Sequence, residues 1–224
     1  MPEKLEIDSG TFLTDIERHF RVVAGPGAGK TYWLVNHIKQ VVARSKRLSP
    51  ASRIACISYT NVAVHEIVTQ LGSAATKVDA STIHSFLYRN VVRPYLHLLR
   101  DGDDQPLVEF ASVDGHDEHH PSYPIVDEWL RSIGQAKILQ QTFEEQRAIL
   151  NDKLRQLVWQ RSVDGEWTLG PRKPDRMGKM LNAIFTSSNL IDYKRRYWRL
   201  GIVDHEDILY FAHRILEEHP LVCQ

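Results

Sequence analysis

Apolar residues recur at Leu34, Ile38, Val41 and Val42, the spacing of one helical face, and they follow a short β-branched run over residues 19–24 across a glycine-rich turn. The pattern predicts a strand, a loop and a helix. The continuous apolar run after Arg53, following a Ser-Pro break, predicts a second strand over 54–59. Val64, Ile67, Val68 and Leu71 then form a helical stripe that opens after the capping pair Thr60-Asn61 and stops at Gly72, and a third short strand is expected to end near Ala80. From Ser81 the periodicity becomes helical. Phe86, Leu87, Val91, Tyr95 and Leu98 share a face despite Pro94, and further helices are expected at 138–161, 174–200 and 204–218, separated from the first by a loop over 101–124. Asp204 and Asp207 stand in capping-box spacing. A βαβ opening followed by a long helical block predicts an α/β domain interrupted by a helical insertion.

Composition changes this picture little. A chain of 224 residues with 42% hydrophobic content can bury a substantial core, and 28 basic side chains balance 28 acidic ones, so net charge selects no partner. The distribution is more informative: residues 101–128 carry nine acidic side chains and no lysine or arginine, whereas 172–199 carry eight basic against two acidic. Such a basic stretch is either a solvated face or a side turned to nucleic acid. Cys56 and Cys223 lie far apart, Cys56 within an apolar run, and imply no disulfide framework. No apolar run approaches the ~20 residues of a bilayer-spanning helix, and the first residues lack a signal-type apolar core. A cytoplasmic setting with no membrane partner is expected.

The chemistry concentrates in Ala24-Gly25-Pro26-Gly27-Ala28-Gly29-Lys30-Thr31. A glycine turn at a helix start aims backbone N–H groups at phosphates, a lysine reaches the terminal phosphates and a following hydroxyl ligates magnesium. Lys30 is the candidate catalytic residue and Thr31 the magnesium ligand; ATP and Mg2+ are the expected cofactors. Alanine at Ala24 replaces the first glycine of the usual pattern.

Ser58-Tyr59-Thr60-Asn61-Val62-Ala63 and Ser81-Thr82-Ile83-His84-Ser85-Phe86 resemble, in order and spacing, two DNA-contact motifs of the UvrD and Rep family of superfamily 1 helicases, and Asp204-His205-Glu206-Asp207-Ile208-Leu209 is similar to that family's acidic-leucine element. The resemblance implies a P-loop NTPase (RecA-like) parallel sheet, incomplete here, with a mostly helical inserted subdomain. It implies boundaries at 1–92 for the first part of the ATP-binding motor domain, 93–200 for the insertion and 201–224 for the return to the motor domain ahead of Walker B. It further implies single-stranded DNA as partner, contacted by Tyr59, Thr60, Asn61, His84, Ser85 and Phe86, and movement from 3′ to 5′. Each residue also has a plainer role: Thr60 and Thr82 as helix caps, Tyr59 and Phe86 as core. The run Tyr193-Lys194-Arg195-Arg196-Tyr197-Trp198-Arg199 interleaves cations with aromatics as a strand-binding surface would, which makes Arg195, Arg196 and Arg199 candidate DNA contacts, with an amphipathic helix end as the alternative.

Ile125-Val126-Asp127-Glu128 resembles a Walker B acidic pair, but a proline leads it, its apolar run is short, and it precedes the acidic-leucine element. No glutamine for reading adenine occurs over 11–20. Hydrolysis and unwinding are therefore expected to need a carboxyl-terminal half or a partner protein, and the chain alone to turn over little ATP. His116, Asp117, Glu118, His119 and His120 are adjacent loop residues, poorly disposed to converge on one metal ion. A nucleotide kinase and a non-catalytic nucleotide- and DNA-binding module are the alternative readings. Repair, replication restart, plasmid maintenance and antiphage defence all employ motors of the resembled kind.

Overall fold

The computed structural model describes residues 6–101, 103–108, 118–175 and 177–223. The chain divides into two compact units, Met1–Ile83 and His84–Gln224.

In the first unit, helix α1 (Lys30–Arg44), strand β1 (Ile54–Ser58), helix α2 (Asn61–Leu71) and strand β2 (Val78–Thr82) follow one another, with a 3-10 turn over Gly72–Lys77. The strands are parallel and in register from Ile54↔Val78 to Ser58↔Thr82, so their carboxyl ends lie side by side. Thr60 starts α2 by accepting a hydrogen bond from the Ala63 amide at 3.2 Å, and Gly72, at φ 60°, stops it. Val35, Ile38, Cys56, Ile67, Leu71 and Val78 form the core between helices and sheet. An amino-terminal strap lies along α1: the Trp33 indole donates to the Thr11 carbonyl at 2.9 Å, Gln40 to that of Leu13 at 2.7 Å, and the Ser45 hydroxyl to Glu17 at 2.8 Å.

Residues 19–24, expected as a strand, form none, and Val23 is 80% exposed. The reason is pairing. β1 and β2 bond to each other in a two-stranded sheet, and β-branched side chains do not hold a strand whose backbone has no neighbour.

In the second unit, α3 (Ile83–Leu87), which opens at the unit boundary, widens into a π-helical turn over Tyr88–Val92 before the single turn α4 (Arg93–Tyr95). Pro94 lacks an amide hydrogen and its ring crowds the preceding turn, which a wider turn relieves. Then come α5 (Tyr123–Ser132), α6 (Glu144–Arg155), the antiparallel hairpin β3 (Leu157–Arg161) and β4 (Trp167–Pro171), α7 (Lys179–Ile184), α8 (Ser187–Trp198) and α9 (His205–Glu218).

Two helices expected from periodicity are thus divided. The first ends at Arg155 because Leu157–Arg161 pairs with Trp167–Pro171, and a short apolar run fits strand and helix equally until a partner appears. The second breaks at Phe185, where Thr186 turns out to cap α8 through the Asn189 amide. One core joins α5, α6, the hairpin, α7 and α8 around Trp129, Leu150, Leu154 and Tyr193. A second joins the π turn and the following residues to α9 through Val92, Leu96, Leu99, Ile208, Phe211 and Ile215, so the chain enters and leaves the helical block side by side. The hairpin covers α9 with aromatics: Trp159 stacks on Tyr210 at 3.8 Å between centroids.

Candidate nucleotide site and nucleic-acid contacts

The glycine turn reaches α1 through two residues in the left-handed region, Gly27 at φ 73° and Gly29 at φ 72°. A side chain at Gly29 would be doubly unfavourable, since a Cβ there would stand 2.9 Å from that of Ser9. Lys30 and Thr31 are consequently the first two residues of α1. No side chain caps this helix start and no acidic residue occupies its first turn, which leaves its N–H groups and dipole directed at an open cavity of about 640 Å³. Gly27 to Tyr32 line one side, with Asn36 and Lys39 farther along α1 and Glu66 and Gln70 on α2. The Lys30 ammonium donates to the Gly25 carbonyl at 2.6 Å and to that of Ala24 at 3.1 Å.

At the carboxyl end of β1, Tyr59 is 88% exposed and Asn61 is also exposed. Tyr59, whose plainer role was core packing, is therefore a surface ring. Thr60 does serve as a cap, its oxygen taken by the Ala63 amide.

His84 follows Thr82 by two residues and, within the second unit, stacks on His205, with ring centroids 4.4 Å apart and planes tilted by 27°. Ser85 and Phe86 are half-buried. Burial lowers the His84 pKa below the usual imidazole value, and the nearby charge of His205 lowers it further.

The basic-aromatic run divides by face. Tyr193, Lys194, Tyr197 and Trp198 are buried, so this end of α8 is amphipathic, the alternative reading, with its aromatic rings in the core. The period of an α-helix sends them inward together. Arg196, expected at DNA, is committed within the fold: its guanidinium bonds Glu128, the Ser132 hydroxyl at 2.9 Å and Asp192 at 3.2 Å. Arg199 is exposed and Arg195 half-exposed. The Asp127-Glu128 pair lies on α5, with Asp127 bonded to Arg147 and Glu128 to Arg196, as its rejection from an acidic strand end requires.

Sequence reasoning missed a buried polar network behind α9. Lys194 bonds both capping-box carboxylates, Asp204 and, at 2.9 Å, Asp207. His119 bonds Asp204 at 3.1 Å and the Tyr193 hydroxyl at 2.7 Å; Tyr193 bonds Tyr197 at 3.1 Å, and Tyr197 accepts from the Ser122 amide. Burial disfavours the Lys194 cation, but the two carboxylates outweigh it and raise its pKa. Burial likewise opposes ionisation of Asp204, yet Lys194 and His119 hold its carboxyl below the usual range, while burial and the charge of Asp204 push Asp207 up. The capping spacing of the two aspartates was the available signal; nothing local pairs them with Lys194. Of the histidine-rich tract, His116 and Asp117 lie outside the described residues, and no group of three or more metal-binding side chains occurs among the described ones.

His37, His84 and His119 all have pKa values lowered from 6.5, chiefly by burial. A depressed histidine contributes stability that is present above its unfolded pKa and is lost as pH falls through its folded one. Thermal melting should therefore be level above about pH 7 and fall as the pH is lowered from about 6.5. A melting temperature constant on such acidification would contradict the assignment of neutral rings at these positions.

The family model for the UvrD/REP helicase N-terminal domain matches residues 8–224. Gabija protein GajB of Bacillus cereus (strain HuB5-5) is 40% identical over 67 residues, which are 29% of this chain and span 10% of that protein's length. No helix among the described residues is long and apolar enough to cross a membrane. With the family model covering nearly the whole chain, from the strap ahead of the glycine turn to beyond the end of α9, the protein belongs to the UvrD/REP helicase N-terminal domain family.

Proposed function

We propose that this chain is the ATP- and single-stranded-DNA-binding amino-terminal portion of an ATP-dependent DNA helicase, built on a RecA-like P-loop sheet. The observation that carries the reading is the uncapped start of α1, where Gly27 and Gly29 turn the backbone toward an open cavity. The donor set fits magnesium nucleotide: backbone N–H groups and Lys30 for the phosphates, the Thr31 hydroxyl for the ion. Bound Mg2+ would neutralise phosphate charge, while Lys30 leaves the Ala24 and Gly25 carbonyls for phosphate oxygens. The side-by-side entry and exit of the helical block support treating residues 93–200 as an insertion into the motor domain. Hydrolysis, strand separation and 3′-to-5′ movement are proposed for the complete helicase.

For DNA, exposed Tyr59 offers a ring face and Asn61 a polar group at the carboxyl end of β1, where ligands of open α/β sheets bind. His84, Ser85 and Phe86 are proposed contacts through the matching motif, and Arg195 and Arg199 through charge. Titrating the chain with a fluorescent ATP analogue, with and without Mg2+, and with labelled oligothymidylate tests both halves of the proposal; failure to bind either ligand would refute it. Replacing Arg195 and Arg199 together with alanine should weaken strand binding and flatten the slope of log affinity against log salt by about 1.4 if each meets one phosphate. An unchanged slope would remove both from the interface.

A further inference from the structure

α3 has five residues and passes at once into the π turn, so little in its own geometry fixes the His84 ring. The first turn of α9 is the opposite. Asp204 and Asp207 exchange both capping-box hydrogen bonds, at 3.1 and 3.2 Å, and Lys194 holds both carboxylates from a buried position. His205 is the first residue of that turn, and its ring lies against that of His84 with centroids 4.4 Å apart.

We infer that His205 is a positioning residue for single-stranded-DNA binding, its imidazole fixing by stacking the orientation of the His84 ring that meets the strand. The inference rests on the proposed role of His84 as a DNA contact. An offset stack fixes ring rotation that a short, irregular helix leaves open, and a pre-oriented contact spends less conformational freedom on binding. A helix start fixed by a capping box and a buried ammonium is a firm base for such a ring. Burial favours the uncharged form of His84, which contributes a hydrogen bond without displacing a counterion, unlike an arginine on a phosphate. His205 acts through ring shape, and a phenyl group can replace it.

The test uses the 224-residue chain with labelled oligothymidylate at neutral pH, measured as affinity across a salt series. His84→Ala should weaken binding about fivefold with the salt slope unchanged. His205→Ala and His205→Gln should each weaken it about threefold, His205→Phe should stay within about twofold of the parent, and His84→Ala with His205→Ala should be no weaker than His84→Ala alone. Wild-type affinity in both His205→Ala and His205→Gln, beside a weakened His84→Ala, would overturn the positioning role and leave the DNA reading of His84 standing. Wild-type affinity in His84→Ala would overturn both. Equal weakening in His205→Phe and His205→Gln would also overturn the role, because it would show that the ring is irrelevant. The position is half-buried at a helix start, which accommodates all three replacements without breaking the fold.

Discussion

Lys30→Ala is expected to reduce affinity for a magnesium-ATP analogue about 100-fold while leaving the melting temperature nearly unchanged. The ammonium is exposed and bonded to loop carbonyls at 2.6 and 3.1 Å, so its removal strands no buried group. Its contribution belongs to the bound state. Charge-assisted bonds to phosphate contribute about 1.5–3 kcal/mol apiece, and about 2.7 kcal/mol in sum corresponds to the expected loss. Gly29→Ala should impair the same binding by another route, since the replacement must hold φ 72° and pass Ser9. Fluorescence titration with the analogue checks Lys30→Ala directly. Affinity within threefold of the parent would show that the nucleotide lies elsewhere, whatever the loop's resemblance.

The second large effect concerns stability. Lys194→Ala should destabilise the second unit by about 3–5 kcal/mol, because it leaves Asp204 and Asp207 facing one another, buried, without a cation. At this size the loss corresponds to a fall of roughly 10 °C in melting temperature. Neutralising the aspartates in the same chain, with Lys194→Met, Asp204→Asn and Asp207→Asn together, should recover much of it, since an uncompensated charge and not the absence of a pair is what disfavours folding. Calorimetry of the two variants beside the parent gives both numbers. A single variant that melts within 2 °C or so of the parent would mean that the lysine is a passenger in the network.

These two residues mark how far the sequence could be read. Lys30 is legible because its proposed role depends on neighbours in sequence: a glycine turn, a lysine and a hydroxyl in eight consecutive residues form a pattern that suits phosphate by backbone geometry alone. The helix caps were legible for the same reason, as Thr60 and the Asp204–Asp207 box show, since a cap acts over three residues. Lys194 reads in the sequence only as one cation of a basic-aromatic run, because its partners lie 10 and 13 residues away and only the packing of α8 on α9 brings them together. The hairpin was absorbed into a predicted helix for an equivalent reason: Leu157 to Arg161 becomes a strand only against Trp167 to Pro171.

By itself, then, the sequence determined the glycine turn ahead of α1, the family and the alternation of strand and helix from β1 through α2 to β2, all of which rest on short-range patterns. The tertiary structure decided which side chains are available. It turned Tyr59 outward and Tyr193, Tyr197 and Trp198 inward, committed Arg196 to carboxylates, stacked His205 on His84, and left residues 19–24 without strand pairing. Burial, ion pairing and strand pairing are properties of neighbours in space. A pattern that repeats every two or four residues carries no information about which distant segment will supply them.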